Sequence, residues 1–288
     1  MKNNQSSIIN HQSLVFFGSG SYSIPVIKML TGHGLSFVLT TETDGPLLKF
    51  LIENNIPYAT TKVTGDKKIA RAELWKKIEN VQPTLGVLAS FGAIIPQHII
   101  DLFPEGIWNI HPSLLPKFKG PSPIQYTLLS EDTTTGVTII SLDDQVDHGP
   151  ILAQEEYPLT GAETSQELLD TLFTKGSQLI EELLLKDQID SNPQDHSQET
   201  WSEKITKESG YIDIENPPSH EQLDKMIRAY HPWPGVWTKW NKGEGFEKIV
   251  KFLPNNNIQV EGKKPMTHKD FINGYGEEGK VLLEKLEK

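Results

Sequence analysis

Asn109 and His111 stand two residues apart in an apolar run, and Asp147 follows after one hairpin-like segment. On a strand, residues i and i+2 point to the same face, so the amide and the imidazole project side by side. The amide donates hydrogen bonds without changing charge, the imidazole donates or shuttles a proton, and a carboxylate orients and charges the imidazole. Such a group suits acyl transfer, in which an oxyanion is held while a proton moves. His148, the neighbour of Asp147 on an extended chain, is expected to face away from it. Taken singly, a histidine near a strand end is more often a hydrogen-bonded structural residue, so the surrounding sequence has to decide.

The elements around these residues alternate as strand and helix. Ser13 to Gly18 reads as a buried strand ending in a glycine turn, followed by a helix over Ile24 to Leu30 with Pro25 in its first turn. Further strands are predicted at 36–40, 85–89 and 106–110, with a helix at 67–78, which is the pattern of a Rossmann-like parallel sheet. The β-branched run 136–142 can pair with 151–157 across the Gly149-Pro150 turn. Leucines, isoleucines and Phe173 at helical spacing from Ser165 to Leu184 predict an amphipathic helix whose stripe is core. The polar stretch from Asp187 to Thr200 has no periodicity and reads as a linker, placed at 191–203 between a catalytic domain at 13–190 and a small β-rich domain at 204–288. Within that second domain a helix is predicted near His220 to Tyr230, with strands at 236–240, 248–253 and 257–261. Residues 1–12 read as an extra or disordered N-terminal segment.

Length and composition set bounds. A chain of 288 residues with 36% apolar content builds one large core and one small one. The absence of cysteine excludes disulfides, thiolate metal centres and thiol catalysis. No apolar run is long enough to span a bilayer, and the residues before Ser13 lack a signal-type apolar stretch, so a cytoplasmic protein without a membrane partner is expected. The net charge of −11, with Arg71 and Arg228 the only arginines, points by itself to a small-molecule enzyme rather than to a nucleic-acid partner. Gly18-Ser-Gly20 after the first strand is an incomplete dinucleotide fingerprint, since Ser23 takes the third glycine's place; it reads as a tight turn near the ends of parallel strands, where such sheets place ligands.

The block around the candidate trio carries a resemblance. Asn109-Ile-His-Pro-Ser-Leu-Leu-Pro116, Gly136-Val-Thr-Ile-Ile140 and Asp147-His-Gly149 resemble the folate-dependent formyltransferases over Leu14 to Trp237. Ser23-Ile-Pro25, Phe91-Gly-Ala-Ile-Ile-Pro96, Pro123-Ile-Gln125, Lys204-Ile-Thr-Lys-Glu-Ser-Gly210 and Arg228-Ala-Tyr-His-Pro-Trp-Pro234 are similar to that family's tRNA-directed branch. The resemblance implies a Rossmann-like formyltransferase domain followed by an abbreviated domain of oligonucleotide-binding (OB) type. It implies transfer of a formyl group from 10-formyltetrahydrofolate to the α-amino group of methionine on initiator tRNA, by a monomer, with Asn109, His111 and Asp147 catalytic and no metal. It places the folate near Phe91, Gly92, Ala93, Ile94 and Ile95, near Ser113, Leu114, Leu115 and Pro116, and near Leu142, Asp143, Asp144, Gln145 and Val146, with a cis Leu115-Pro116 bond. For Phe91, Ile94 and Ile95 the plainer reading is core packing.

Lys117, Lys119, Lys204, Lys207, Arg228, Lys263 and Lys264 are the candidate cations for the tRNA, each also readable as a surface charge. The long basic loop usual in the family after the second strand is missing, because Thr40-Thr-Glu-Thr-Asp-Gly-Pro46 runs directly into the next helix. That departure, with the acidic charge, keeps open a formyltransferase acting on an amino-sugar nucleotide. A formyltetrahydrofolate hydrolase would bring an N-terminal regulatory domain ahead of Ser13, and a catalytically silent folate- or RNA-binding protein has no need of the intact trio.

Overall fold

A computed structural model describes residues 13–61, 67–93, 95–241 and 247–286. The expected segment 1–12 and the candidate Ile94 lie outside the described residues. Packing divides the chain into two units, each continuous in space and interrupted in sequence. The first contains the chain as far as Pro121, then Thr134–Pro158 and Leu169–Trp201; the second contains Ser122–Thr133, Leu159–Leu168 and Ser202–Lys288.

The first unit is built on a seven-stranded sheet. In chain order its elements are β1 (Leu14–Gly18), α1 (Ile24–Thr31), β2 (Leu35–Thr40), α2 (Pro46–Glu53), β3 (Tyr58–Thr60), α3 (Lys67–Asn80), β4 (Leu85–Ala89), α4 (Gln97–Ile100) and β5 (Ile107–His111). After α5 (Pro123–Leu129), which belongs to the second unit, come β6 (Thr134–Ser141), β7 (Ile151–Pro158) and α6 (Ser165–Leu184), whose first turn is also in the second unit. The strand order is β3-β2-β1-β4-β5-β6-β7, with β1 to β5 parallel and β6 and β7 added antiparallel. Strands β1 and β5 are buried at every residue, as central strands covered on both faces must be. Edge strand β7 alternates half-buried and exposed positions along most of its length.

Chain order reverses between β1 and β4, which opens a crevice beyond the carboxyl ends of these strands. Gly18 closes β1 there because a Cβ would lie 2.4 Å from the Ala89 carbonyl oxygen. The glycine turn after it is the tight turn expected from sequence. Gly20 N–H donates to Glu42 Oε2 at 2.9 Å, and Ser19 Oγ pairs with Thr41 Oγ1 at 2.6 Å. Beside it, burial pushes the Tyr22 phenol above its usual range, aided by the Glu42 carboxylate and opposed by a hydrogen bond with Ser90. Strand β3 escapes sequence reading because three residues after Pro57 show no alternation.

In the second unit α5 packs on α7 (His220–Tyr230). Ser219 Oγ caps α7 by accepting from Gln222 N–H at 3.2 Å. Strands β8 (Val236–Asn241), β9 (Glu247–Leu253), β10 (Asn257–Val260) and β11 (Met266–Thr267) form an antiparallel sheet in the order β11-β10-β9-β8. This is the small β-rich domain read from the sequence. It is completed by a helix that sequence reading lacks, α8 (His268–Leu286), whose Phe271 and Tyr275 pack on Trp240 with ring centres 5.3 and 5.2 Å away. Glycines 274, 276 and 279 hide this helix in the sequence, and Gly276 kinks it at φ 63°.

Candidate active site

Strand β5 places Asn109 and His111 on one face, as its period of two requires, and both are buried at 6% and 4% exposure. Asp147, 9% exposed, reaches them from the loop between β6 and β7. Asn109 Nδ2 donates to Asp147 Oδ1 at 3.2 Å, and His111 Nδ1 lies 3.5 Å from the same oxygen. The other carboxylate oxygen accepts from Gly120 N–H at 2.9 Å, and His111 Nε2 faces the Phe118 carbonyl at 3.0 Å. Both imidazole nitrogens therefore face oxygen atoms that accept hydrogen bonds. The amide and the imidazole thus both lie against one carboxylate oxygen.

Two residues hold this geometry from unfavourable backbone positions. Asp147 has φ 48° and Phe118 has φ 57°. For non-glycine residues such conformations cost on the order of 1–3 kcal/mol each and persist only where neighbouring bonds impose them. His148 turns away from the trio, as expected, with Nδ1 2.6 Å from Asp143 Oδ2 and its ring stacked at 4.0 Å on His196.

Sequence reasoning missed the residues beneath the site. Thr138, opposite His111 across the β5–β6 ladder, donates to Ser113 O at 2.6 Å and accepts from Leu115 N–H at 3.1 Å and Gln154 Nε2 at 2.8 Å. One buried hydroxyl thus uses its donor and both lone pairs to fix the turn after β5. Beyond its place in Gly136-Val-Thr-Ile-Ile140, its signal in the sequence is a polar residue in an apolar strand.

The residues matched to a folate site fall into distinct environments. Leu115-Pro116 is a cis bond, Leu115 is buried, and Leu114 and Pro116 are half-buried; Ser113 is buried and donates to Lys117 O at 2.5 Å. Phe91 and Ile95 belong to the core with Phe17 and Ile99, Phe91 meeting Phe17 edge-on at 5.7 Å. Their side chains are packed in that core, the plainer of the two readings the sequence offers for them. Gly92, at φ 69°, is exposed with open space around it, and Ala93 and Leu142 are half-buried against that core. Asp143 orients His148 and accepts from Gln145 N–H at 2.9 Å, while Asp144, Gln145 and Val146 are exposed.

Two of the cations read as tRNA contacts are engaged inside their own units. Lys119 is fully buried; its ammonium lies 2.6 Å from Glu199 Oε2 and 5.7 Å from the centre of the Trp201 ring, so it presents no charge to a surface ligand. That ammonium, then the Trp201 N–H, holds the Glu199 carboxyl below the usual carboxylate range. Arg228 pairs with Asp224 at 2.8 Å and donates to Glu163 O at 3.2 Å, bracing α7 instead of offering an open fork. Lys204, Lys207, Lys263 and Lys264 are exposed, Lys207 over the Trp237 ring at 5.3 Å, and Lys117 is half-buried over Phe118.

Among the described residues no group of histidine and carboxylate side chains is arranged to hold a metal ion, and no helix is long and apolar enough to cross a membrane. Residues 13–184 match the formyl transferase family and residues 204–257 match the formyl transferase C-terminal domain. The chain belongs to the formyl transferase family. Among its relatives in this family, a protein of Chloroflexus aurantiacus named methionyl-tRNA formyltransferase is 34% identical over 242 residues, covering 79% of this chain and 76% of its own. A protein of the same name from Koribacter versatilis is 30% identical over 305 residues, covering 91% and 95%. In fold the chain is similar to a 4-N formyltransferase from Francisella tularensis (TM-score 0.66, 18% identity, 85% of this chain and 98% of that one). It is also similar to an N-formyltransferase from Helicobacter canadensis, solved with folinic acid and dTDP-3-aminofucose (TM-score 0.62, 15% identity, 86% and 94%).

Proposed function

We propose that this formyl transferase moves the formyl group of 10-formyltetrahydrofolate to the α-amino group of methionyl initiator tRNA. The observation that carries the chemistry is the convergence of three buried side chains at the strand end, Asn109 and His111 both lying against Asp147 Oδ1. The acceptor assignment is supported by relatives named for that acceptor, which match over most of their own length.

The amine nitrogen attacks the formyl carbon and the carbonyl electrons move onto oxygen. Asn109 has two amide hydrogens; one goes to Asp147, and the other is directed at the formyl oxygen. That second hydrogen stabilises the oxyanion, a contribution of about 10²–10³ in rate for a well-placed donor; His111 joins it only by turning one nitrogen away from its partner, Asp147 Oδ1 or the Phe118 carbonyl. The nitrogen then loses a proton, the bond from carbon to N10 breaks, and N10 gains a proton. Asp147 and His111 carry that proton between the two nitrogens, general acid–base help of about 10²–10⁴. The open backbone at Gly92, the turn 113–116 and the exposed loop 144–146 are the proposed surroundings of the folate.

The second reading keeps this chemistry and changes the acceptor to an amino-sugar nucleotide. It is favoured by the −11 charge and by the direct passage from β2 into α2, where the basic loop is missing. Formyl transfer by the purified full chain to charged initiator tRNA, uncharged tRNA and a panel of amino-sugar nucleotides separates the two. Transfer confined to the charged tRNA supports the proposal, and transfer to a sugar amine alone replaces it.

A further inference from the structure

Residues 192–201 read as a linker from sequence, yet in the structure they lie bonded along the loops that shape the site. Ile151 and Asn192 exchange two backbone hydrogen bonds, each at 2.8 Å. Gln194, 6% exposed, donates through Nε2 to the carbonyls of Asp147 at 2.9 Å and Gly149 at 2.8 Å. Thr200 Oγ1 accepts from Phe118 N–H at 2.9 Å, and its carbonyl accepts from Lys119 N–H at 2.8 Å.

The two loops so gripped are the ones that hold the reacting groups. The first supplies Phe118 O to His111 and Gly120 N–H to Asp147; the second carries Asp147 itself. Phe118 and Asp147 both sit at positive φ, so neither loop adopts this shape through its own backbone preference. A primary amide is suited to the second loop because its two hydrogens reach two carbonyls from one nitrogen. A carboxylate in its place would set lone pairs against those carbonyls.

We propose that Gln194 is a positioning residue for formyl transfer: it fixes the turn through Asp147 and Gly149 that aims the carboxylate at Asn109 and His111, and Thr200 does the same for the Phe118 loop. The inference rests on the formyl-transfer reading above.

The test compares the full chain with Gln194→Ala, Gln194→Glu and Thr200→Val in steady-state transfer from 10-formyltetrahydrofolate to methionyl initiator tRNA. Each rate is expressed per folded molecule. A misplacement near 1 Å lowers turnover about a hundredfold. Both Gln194 variants are therefore expected to lose about tenfold to a hundredfold in kcat, with KM for the formyl donor within about twofold. The His111 ring resonances in ¹H–¹⁵N spectra are expected to move with them. Wild-type kcat per folded molecule in Gln194→Glu, or unmoved His111 resonances, would overturn the inference. If the Gln194 variants do not fold, Thr200→Val decides by the same two readouts. If the wild-type chain transfers no formyl group to tRNA, the functional reading fails, and the His111 spectra still test the positioning role without an acceptor.

Discussion

Replacing Gly149 with alanine tests whether the loop carrying Asp147 is held by close backbone approach. A Cβ at this position would lie 1.8 Å from Ser141 O and 3.0 Å from Ser141 C. Both obstacles are backbone, so no side-chain rotation relieves them. Real Cβ atoms stay at least 3.0 Å from such neighbours, so the two segments must separate by 3.0 − 1.8 = 1.2 Å. The Ser141 N–H to Pro150 O bond at 3.0 Å ties the segments at this point, and Asp147 lies only two residues away. A shift of that size predicts a fall in kcat of about 10²-fold, with KM changed far less. One forced methyl also costs about 1–3 kcal/mol, a drop in Tm of about 2–5 °C for a chain of this size. Steady-state formyl transfer and a thermal melt read the two effects. The control is Gly274→Ala, where a Cβ meets nothing within 4 Å and neutral or slightly raised stability is expected. Turnover and Tm of Gly149→Ala both indistinguishable from wild type would refute the reasoning.

Further expectations concern charge and chemistry. Asn109→Ala and Asp147→Asn should each lower kcat by about 10²-fold or more with little change in formyl-donor binding, since both groups act on charge that appears in the transition state; near-wild-type kcat removes the residue concerned from the mechanism. If four of the exposed or half-exposed lysines at 117, 204, 207, 263 and 264 meet phosphates, KM for tRNA should rise about a hundredfold between 50 and 200 mM salt; a flat salt profile contradicts tRNA recognition through them. The Glu199 carboxyl is held below its ordinary range, first by Lys119 and then by Trp201, so its contribution to stability is complete above the unfolded carboxylate pKa and disappears as pH falls through the lowered folded value. Glu199→Gln should therefore be less stable than wild type at neutral pH, with the difference closing below the ordinary carboxylate range; a pH-independent difference in denaturant midpoint would count against that pairing.

The sequence by itself determined four of the five parallel strands, the helix at 165–184 and the placement of Asn109 beside His111, because strand periodicity is a local property that two residues can report. It also marked Asp147 as the missing carboxylate, through motif resemblance and not through geometry. What only the tertiary structure decided is how that carboxylate is aimed. Asp147 stands at positive φ, held by Gly120 from one loop and by Gln194 from a segment whose polar composition gives no periodic signal. The same limit hid the state of Lys119, which any sequence reading takes for a surface charge and which the fold buries against Glu199 and Trp201 some eighty residues later. Hydrogen bonds between distant, aperiodic segments exist only once the sheet has brought those segments together, and they leave no pattern in the order of the residues.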